Sequence, residues 1–243
     1  MAVTRRYEAE YRVRFDESGA DGNLRSSGYL RYAQDLAWRH SEAAGFDREW
    51  YVRHGLLWLV RCVELEIREP VVNGVTLTVS TEVIGWRRVW ARRESTFRDA
   101  GNGQSVAIAH IDWVLLNVAG RPARVPDELS GFFSDGASFT PARVELREAP
   151  ENASTARLAV RPQDLDPMAH VNNATYVDYL EEALLLAGQP EALATVPRHY
   201  RLEYIRSGEL GDELVATSWA DEGGRALRLS DGAANELLRA RLE

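Results

Sequence analysis

Two carboxylates, Asp164 and Asp166, and one imidazole, His170, fall in a single short loop of this chain. A carboxylate can attack an electrophilic carbon or draw a proton from water, and an imidazole can move or hold a proton near neutral pH. Such chemistry gains from donors aimed at a group that is becoming negative. The residues that follow can supply them. Tyr176, Tyr179, Leu180, Ala183, Leu184 and Ala187 recur at intervals of three and four, so 173–187 is predicted as a helix with one apolar face. Asn172 or Asn173 would cap it, and Gly188 with Pro190 beyond would end it. Asp166 and His170 then lie at or just before a helix N-terminus, where unpaired N–H groups favour an anion. Each residue also has an ordinary explanation. Asp is common in turns, here before Pro167, and a lone histidine beneath a helix start is readily explained as bonded to backbone. Glu181 and Glu182 read as solvated surface charges.

The elements that must hold this loop occur twice. Strand-like alternation at Tyr7, Ala9, Tyr11, Val13 and Phe15 leads into a Gly/Asp-rich loop. Ser26 or Ser27 is then expected to cap a helix with Tyr29, Tyr32, Ala33, Leu36, Ala37 and His40 on its apolar face. Tyr29, Tyr32, Ala33 and Leu36 match Tyr176, Tyr179, Leu180 and Ala183 at one constant offset, and Glu66 and Gly74 match Glu203 and Gly211 at a slightly shorter one. The chain is therefore two copies of one unit. At the first offset Asp166 falls on Gly19 and His170 on Asn23, so the first copy lacks the acid and the imidazole.

Each copy reads as strand, helix, then an antiparallel meander, which is an α+β arrangement. The meander runs are 57–68, 75–84, 88–98 and 105–117 in the first copy, and 198–206, 212–220, 224–230 and 235–242 in the second. Pro122, Pro126, Gly131, Gly136, Pro141 and Pro150 break up the stretch between the copies. The expected boundaries are a first unit over 1–117, a crossover linker over 118–155 and a second unit over 156–243.

The formal net charge of −8 argues against a nucleic-acid partner. No apolar run is long enough to span a membrane. Met1 to Arg6 lacks the apolar core of a secretory signal, so a cytoplasmic location is expected. Cys62 is the single cysteine, which leaves no disulfide framework and no cysteine-based zinc site. Neither a metal nor a cofactor is expected.

The stretch from Asp164 to Tyr176 is similar to the signature D-x-D-x-x-x-H-V-N-N-x-x-Y of hotdog-fold thioesterases. The chain as a whole resembles the acyl-ACP thioesterases, in their bacterial form, which carry two hotdog units in one polypeptide. The segment from Phe15 to Gly22 and the run Leu202, Glu203, Tyr204 add to the resemblance. It implies two tandem units, each an antiparallel sheet wrapped around a long central helix, joined into one pseudo-twofold molecule. It implies hydrolysis of an acyl-acyl-carrier-protein thioester to a free fatty acid. Asp166 would be the catalytic carboxylate, His170 would work beside it, and Asn172, Asn173 and Tyr176 would meet the substrate. Where plant members carry Asn between the Asp and the His, and a Glu after the L-E-Y run, this chain has Met168 and Ser207. The same scaffold could serve an acyl-CoA thioesterase, a hydroxyacyl dehydratase or a non-catalytic acyl-binding protein. The expected partner is an acyl carrier protein or coenzyme A thioester, and a homodimer is left open.

Two further features carry alternative readings. Trp38, Trp50, Trp58, Trp86, Trp90 and Trp113 all fall in the first copy, which suits an acyl tunnel or plain core packing. Arg87, Arg88, Arg92 and Arg93 suit either an anionic carrier group or a solvated strand edge.

Overall fold

The computed structural model describes residues 5–133 and 137–243. In chain order the elements are β1 (Arg6–Arg12), α1 (Ser26–Ala43), α2 (Arg48–His54), β2 (Leu56–Ile67), β3 (Thr76–Arg87), β4 (Trp90–Asp99), β5 (Ser105–Asn117), α3 (Asp127–Phe133), β6 (Ser154–Ala159), α4 (Thr175–Leu186), β7 (Arg198–Tyr204), β8 (Glu213–Asp221), β9 (Gly224–Asp231) and β10 (Glu236–Leu242). Contacts divide the chain into two compact units, the first ending at Ala142 and the second beginning at Arg143, with Glu64–Ile67 grouped in the second.

In the first unit the strand order is β1-β3-β4-β5-β2, with β1, β3, β4 and β5 paired antiparallel in sequence. α1 packs on β3, β1 and β5. Its three-and-four spacing buries Tyr29, Tyr32, Ala33, Leu36 and His40. Leu77, Val79 and Phe97 meet this face from the sheet, with Tyr29 edge-on to Phe97 at 5.3 Å. In the second unit the order is β7-β10-β9-β8-β6, every pair antiparallel, and α4 packs on β6 and β8. Tyr176, Tyr179, Leu180, Ala183 and Leu184 are buried there with Leu202, Leu229 and Leu238. A fully buried leucine such as Leu36 or Leu180 contributes about 2 kcal/mol by leaving water. Each unit is thus one antiparallel sheet and one long helix, and the chain is α+β with two hotdog units in tandem.

The helix starts differ from expectation. Neither Ser26 nor Ser27 caps α1: both lie inside its first turn and are buried, and the capping position is Arg25, whose carbonyl accepts from the Gly28 N–H at 2.8 Å. α4 is preceded by Ala174, with no side-chain cap, and Asn172 Oδ1 instead accepts from the Ala174 N–H at 3.0 Å, one step upstream. In both cases a preceding hairpin delivers the chain to the helix, so entry does not depend on a capping side chain. The arginine run also divides. Arg92 is clasped by buried Asp112, with Nε 2.6 Å from Oδ1, while Arg93 is buried with Nη1 3.0 Å from His40 Nδ1. Neighbours on a strand face opposite ways, so only Arg87 and Arg88 at the turn are exposed.

Trp50 and Trp86 sit in a core cluster with Phe46, Tyr51, Leu115 and Phe133, and Trp58 and Trp113 pack against it. Trp38 is exposed and donates to Glu42. Glu181 is not simply solvated: it is half-buried and accepts from the Tyr200 hydroxyl at 2.7 Å.

Candidate functional site

Asp166 and His170 face each other as backbone partners across a tight hairpin. The Asp166 N–H donates to the His170 carbonyl at 2.8 Å, and the Ala169 N–H donates back to the Asp166 carbonyl at 2.9 Å. Leu165 and Val171 bridge one step further out, and the Asn172 N–H donates to the Asp164 carbonyl at 2.9 Å. Pro167 and Met168 occupy the tip. Ala169 takes a left-handed conformation with φ 61°. That costs a non-glycine residue about 1–2 kcal/mol, and such strain gathers at functional sites. The hairpin is pinned from outside as well, since the Val171 N–H donates to the Gly208 carbonyl at 3.2 Å.

This geometry orients the Asp166 carboxylate. Its Oδ1 accepts from the Met168 N–H at 2.8 Å, and among the described residues nothing bonds Oδ2. Asp166 and His170 are both half-buried, and the two side chains form no ion pair with each other among the described residues. The chain then turns into α4, whose first N–H groups have no partner inside the helix. Asn172 Oδ1 takes the Ala174 N–H, and the Asn172 carbonyl takes the Thr175 N–H at 2.9 Å. The Asn173 and Tyr176 N–H groups have no backbone acceptor among the described residues. One free carboxylate oxygen, one imidazole and two unpaired helix-start donors therefore belong to one short stretch of chain.

Asp164 does something else. It is buried, with Oδ2 accepting from the Arg161 N–H at 2.8 Å and from the Tyr179 hydroxyl at 2.9 Å, and Oδ1 accepting from Arg161 Nη2 at 3.0 Å. Burial pushes its carboxyl pKa up, but the Arg161 side chain and N–H and the Tyr179 hydroxyl outweigh that and hold it below the ordinary value. The same burial and the Asp164 charge push the Tyr179 phenol well above its ordinary range. Sequence reasoning missed this clasp. A signal was present: Arg161, Asp164 and Tyr179 match Arg14, Glu17 and Tyr32 at the offset that relates the helices.

Tyr176 is buried, and its hydroxyl accepts from the Gly208 N–H at 2.8 Å. Burial, and less so Asp212 and Asp166, pushes its pKa to about 12, so it stays a neutral phenol. Its ring stands edge-on to Tyr204, whose hydroxyl donates to the Asn173 carbonyl at 2.8 Å. Asn173 is half-buried, and its side-chain amide has no partner among the described residues. Ser207 is half-buried beside Gly208. Glu203 is buried and accepts from the Val144 N–H at 3.0 Å, so it is spent holding the main chain. A cleft of about 450 Å³ lies beside the clasp, lined by Arg157, Leu158, Ala159, Arg161, Glu182, Glu213 and Leu214, without Asp166 or His170. Among the described residues no group of three or more His, Cys, Asp or Glu side chains is placed to hold a metal, and no helix is long and apolar enough to cross a membrane.

Solved structures share this architecture over nearly the whole chain. A putative oleoyl thioesterase from Lactobacillus plantarum superposes with a TM-score of 0.85 at 21% identity, covering 98% of this chain and 94% of its own. An acyl-ACP thioesterase from Bacteroides thetaiotaomicron gives 0.83 at 17% identity, with 98% and 97% covered. At these identities the likeness defines the class, a double-hotdog protein. Sequence comparison narrows it. The acyl-ACP thioesterase N-terminal domain matches residues 4–133 and the C-terminal domain of the same family matches residues 147–234, so the chain belongs to the acyl-ACP thioesterase family. A palmitoyl-acyl carrier protein thioesterase of Arabidopsis thaliana chloroplasts is 26% identical over 98% of this chain. The chain spans 63% of that relative's length and 62% of that of an acyl-[acyl-carrier-protein] hydrolase of Cuphea viscosissima.

Proposed function

We propose that the chain is a thioester hydrolase that releases free fatty acid from acyl-acyl carrier protein. The observation that carries this is the Asp166 carboxylate, held on one oxygen by the Met168 N–H and open on the other, in the hairpin it shares with His170. Family membership and the curated relatives support the choice of thioester and carrier. In this reading Asp166 Oδ2 either attacks the thioester carbonyl carbon, expelling the thiolate and leaving a mixed anhydride that water then hydrolyses to the free acid, or takes a proton from the water that attacks. The unpaired N–H groups of Asn173 and Tyr176, at the helix start, would receive the carbonyl oxygen as it gains charge. His170 orients the substrate or returns a proton to the departing thiolate. The Asn173 side chain, and Asn172 through the turn it braces, position the substrate. The chemistry belongs to the second unit, 156–243; the first, 1–117, lacks the acid and the imidazole, and 118–155 joins them.

The test is release of free thiol from acyl carrier protein and coenzyme A thioesters of graded chain length. Higher kcat/KM on the carrier-protein series supports the proposal. Preference for coenzyme A thioesters would make the chain an acyl-CoA thioesterase, and no release from either would remove the hydrolase reading.

A further inference from the structure

The Arg161–Asp164–Tyr179 clasp has a double in the first unit. There Glu17 Oε2 accepts from the Arg14 N–H at 2.9 Å and from the Tyr32 hydroxyl, while Arg14 Nη2 lies 3.2 Å from Oε1. The Glu17 carbonyl accepts from the Arg25 N–H at 3.1 Å, as the Asp164 carbonyl does from the Asn172 N–H. One bonding scheme is built twice. In one copy it underlies a hairpin with Asp166 and His170, in the other a hairpin with Gly19 and Asn23.

Building on the hydrolase reading, we infer that Asp164 and Tyr179 are positioning residues for the reaction. Neither side chain is free to meet substrate: both are buried, and both Asp164 oxygens are bonded. What they control is the base of the hairpin. Tyr179 reaches from the buried face of α4 and Arg161 from the chain just beyond β6, and together they fix the Asp164 carboxylate. Asp164 in turn supplies the carbonyl of the outermost rung, with Asn172 as donor, and Asp166 stands two residues inward. A shift at Asp164 therefore moves the two legs of the hairpin and the start of α4 relative to one another. Those are the parts that carry Asp166, His170 and the free donors of Asn173 and Tyr176.

The duplicate supplies its own control. Tyr179→Phe and Tyr32→Phe remove the same bond from the two copies, and both are expected to lower Tm by comparable amounts. Only Tyr179→Phe is expected to lower kcat, by about 10-fold with KM within about twofold, because small misplacement of a reacting group is costly in rate. Amide hydrogen exchange, read by NMR on the full chain, gives a readout independent of turnover. The Asp166 and Asn172 amides should exchange faster in Tyr179→Phe, and the Gly19 and Arg25 amides in Tyr32→Phe. Asp164→Glu, which uses the acid of the first copy, is expected to keep most of the kcat that Asp164→Asn loses. Wild-type kcat in Tyr179→Phe, or unchanged exchange at Asp166, overturns the inference. A wild-type chain without turnover on any acyl thioester overturns the hydrolase reading instead, and exchange at Asp166 still decides whether the clasp positions the hairpin.

Discussion

The loops that precede α1 and α4 follow the same backbone course and carry different chemistry. In the first, the Gly19 N–H donates to the Asn23 carbonyl at 2.8 Å and the Gly22 N–H to the Gly19 carbonyl at 3.0 Å; in the second, Asp166, His170 and Ala169 make the same bonds. Ser18 bridges Leu24 as Leu165 bridges Val171. Leu24 donates to the Val71 carbonyl as Val171 does to Gly208. The side chains part company. Asp21 Oδ1 accepts from the Asn23 N–H and Oδ2 from the Asn23 amide, so the first loop satisfies its polar groups internally. The second puts Met168 at the Asp21 position, about half exposed, and leaves one Asp166 oxygen and the His170 ring without bonds among the described residues. The hairpin is common to both copies, and the free polar groups, where we propose that the site lies, belong to the second.

The comparison can be broken most directly at Asp166. Asp166→Asn should keep the circular dichroism of the wild type while kcat falls by about 10²–10⁴, the range for losing a positioned acid or base. Wild-type turnover in a well-folded Asp166→Asn variant would move the chemistry elsewhere. His170→Ala is expected to lower kcat by about 10²-fold, whereas Asn23→Ala, at the matched position, should leave it nearly unchanged. An equal loss in both would dissolve the asymmetry between the copies.

Stability measurements sharpen the comparison at smaller scale. A Cβ at Gly28 would lie 2.5 Å from Leu24 Cδ1, while the second copy fills the same two places with Val171 and Thr175. The clash falls on the end of one flexible side chain and is set against the gain of Ala over Gly in a helix, so Gly28→Ala should change stability in urea unfolding by no more than about 1 kcal/mol, and adding Leu24→Val should relieve the clash. Gly22 sits at φ 79° where Ala169 sits at 61°. Gly22→Ala should therefore cost about 1 kcal/mol, with kcat unaffected. The weakest effect is expected from pH. The Asp164 carboxyl is held below its ordinary value of 3.8, so its share of stability is complete above that pH and is lost as pH falls through the lower folded value. Asp164→Asn should flatten that acid limb of the stability curve, and an unchanged limb would mean that the clasp adds nothing.

Much of this could be read from residue spacing. The helices at 26–43 and 175–186 follow from apolar residues at three and four, and Gly188, at φ 70°, ends the second where a left-handed residue is needed. The repeat follows from matched tyrosines, and the bare first loop from Gly19 and Asn23. Periodicity reports which face of an element is buried, and that is a property of the local sequence. It does not report which polar group bonds to which. Asp164 and Asp166 are the same residue type two positions apart, yet one is locked beneath Tyr179 and the other keeps an oxygen open. Arg92 and Arg93 are adjacent, yet one pairs with Asp112 and the other is buried beside His40. Asn172 and Asn173 both looked like caps, and only the folded hairpin gives one of them the Ala174 N–H. By itself the sequence determined the two long helices, the antiparallel strands and the duplication, and it singled out the loop in which we propose that the chemistry lies. Tertiary structure decided which groups in that loop are spent on holding it and which remain free, because a hydrogen bond depends on where distant residues such as Tyr179 and Gly208 arrive.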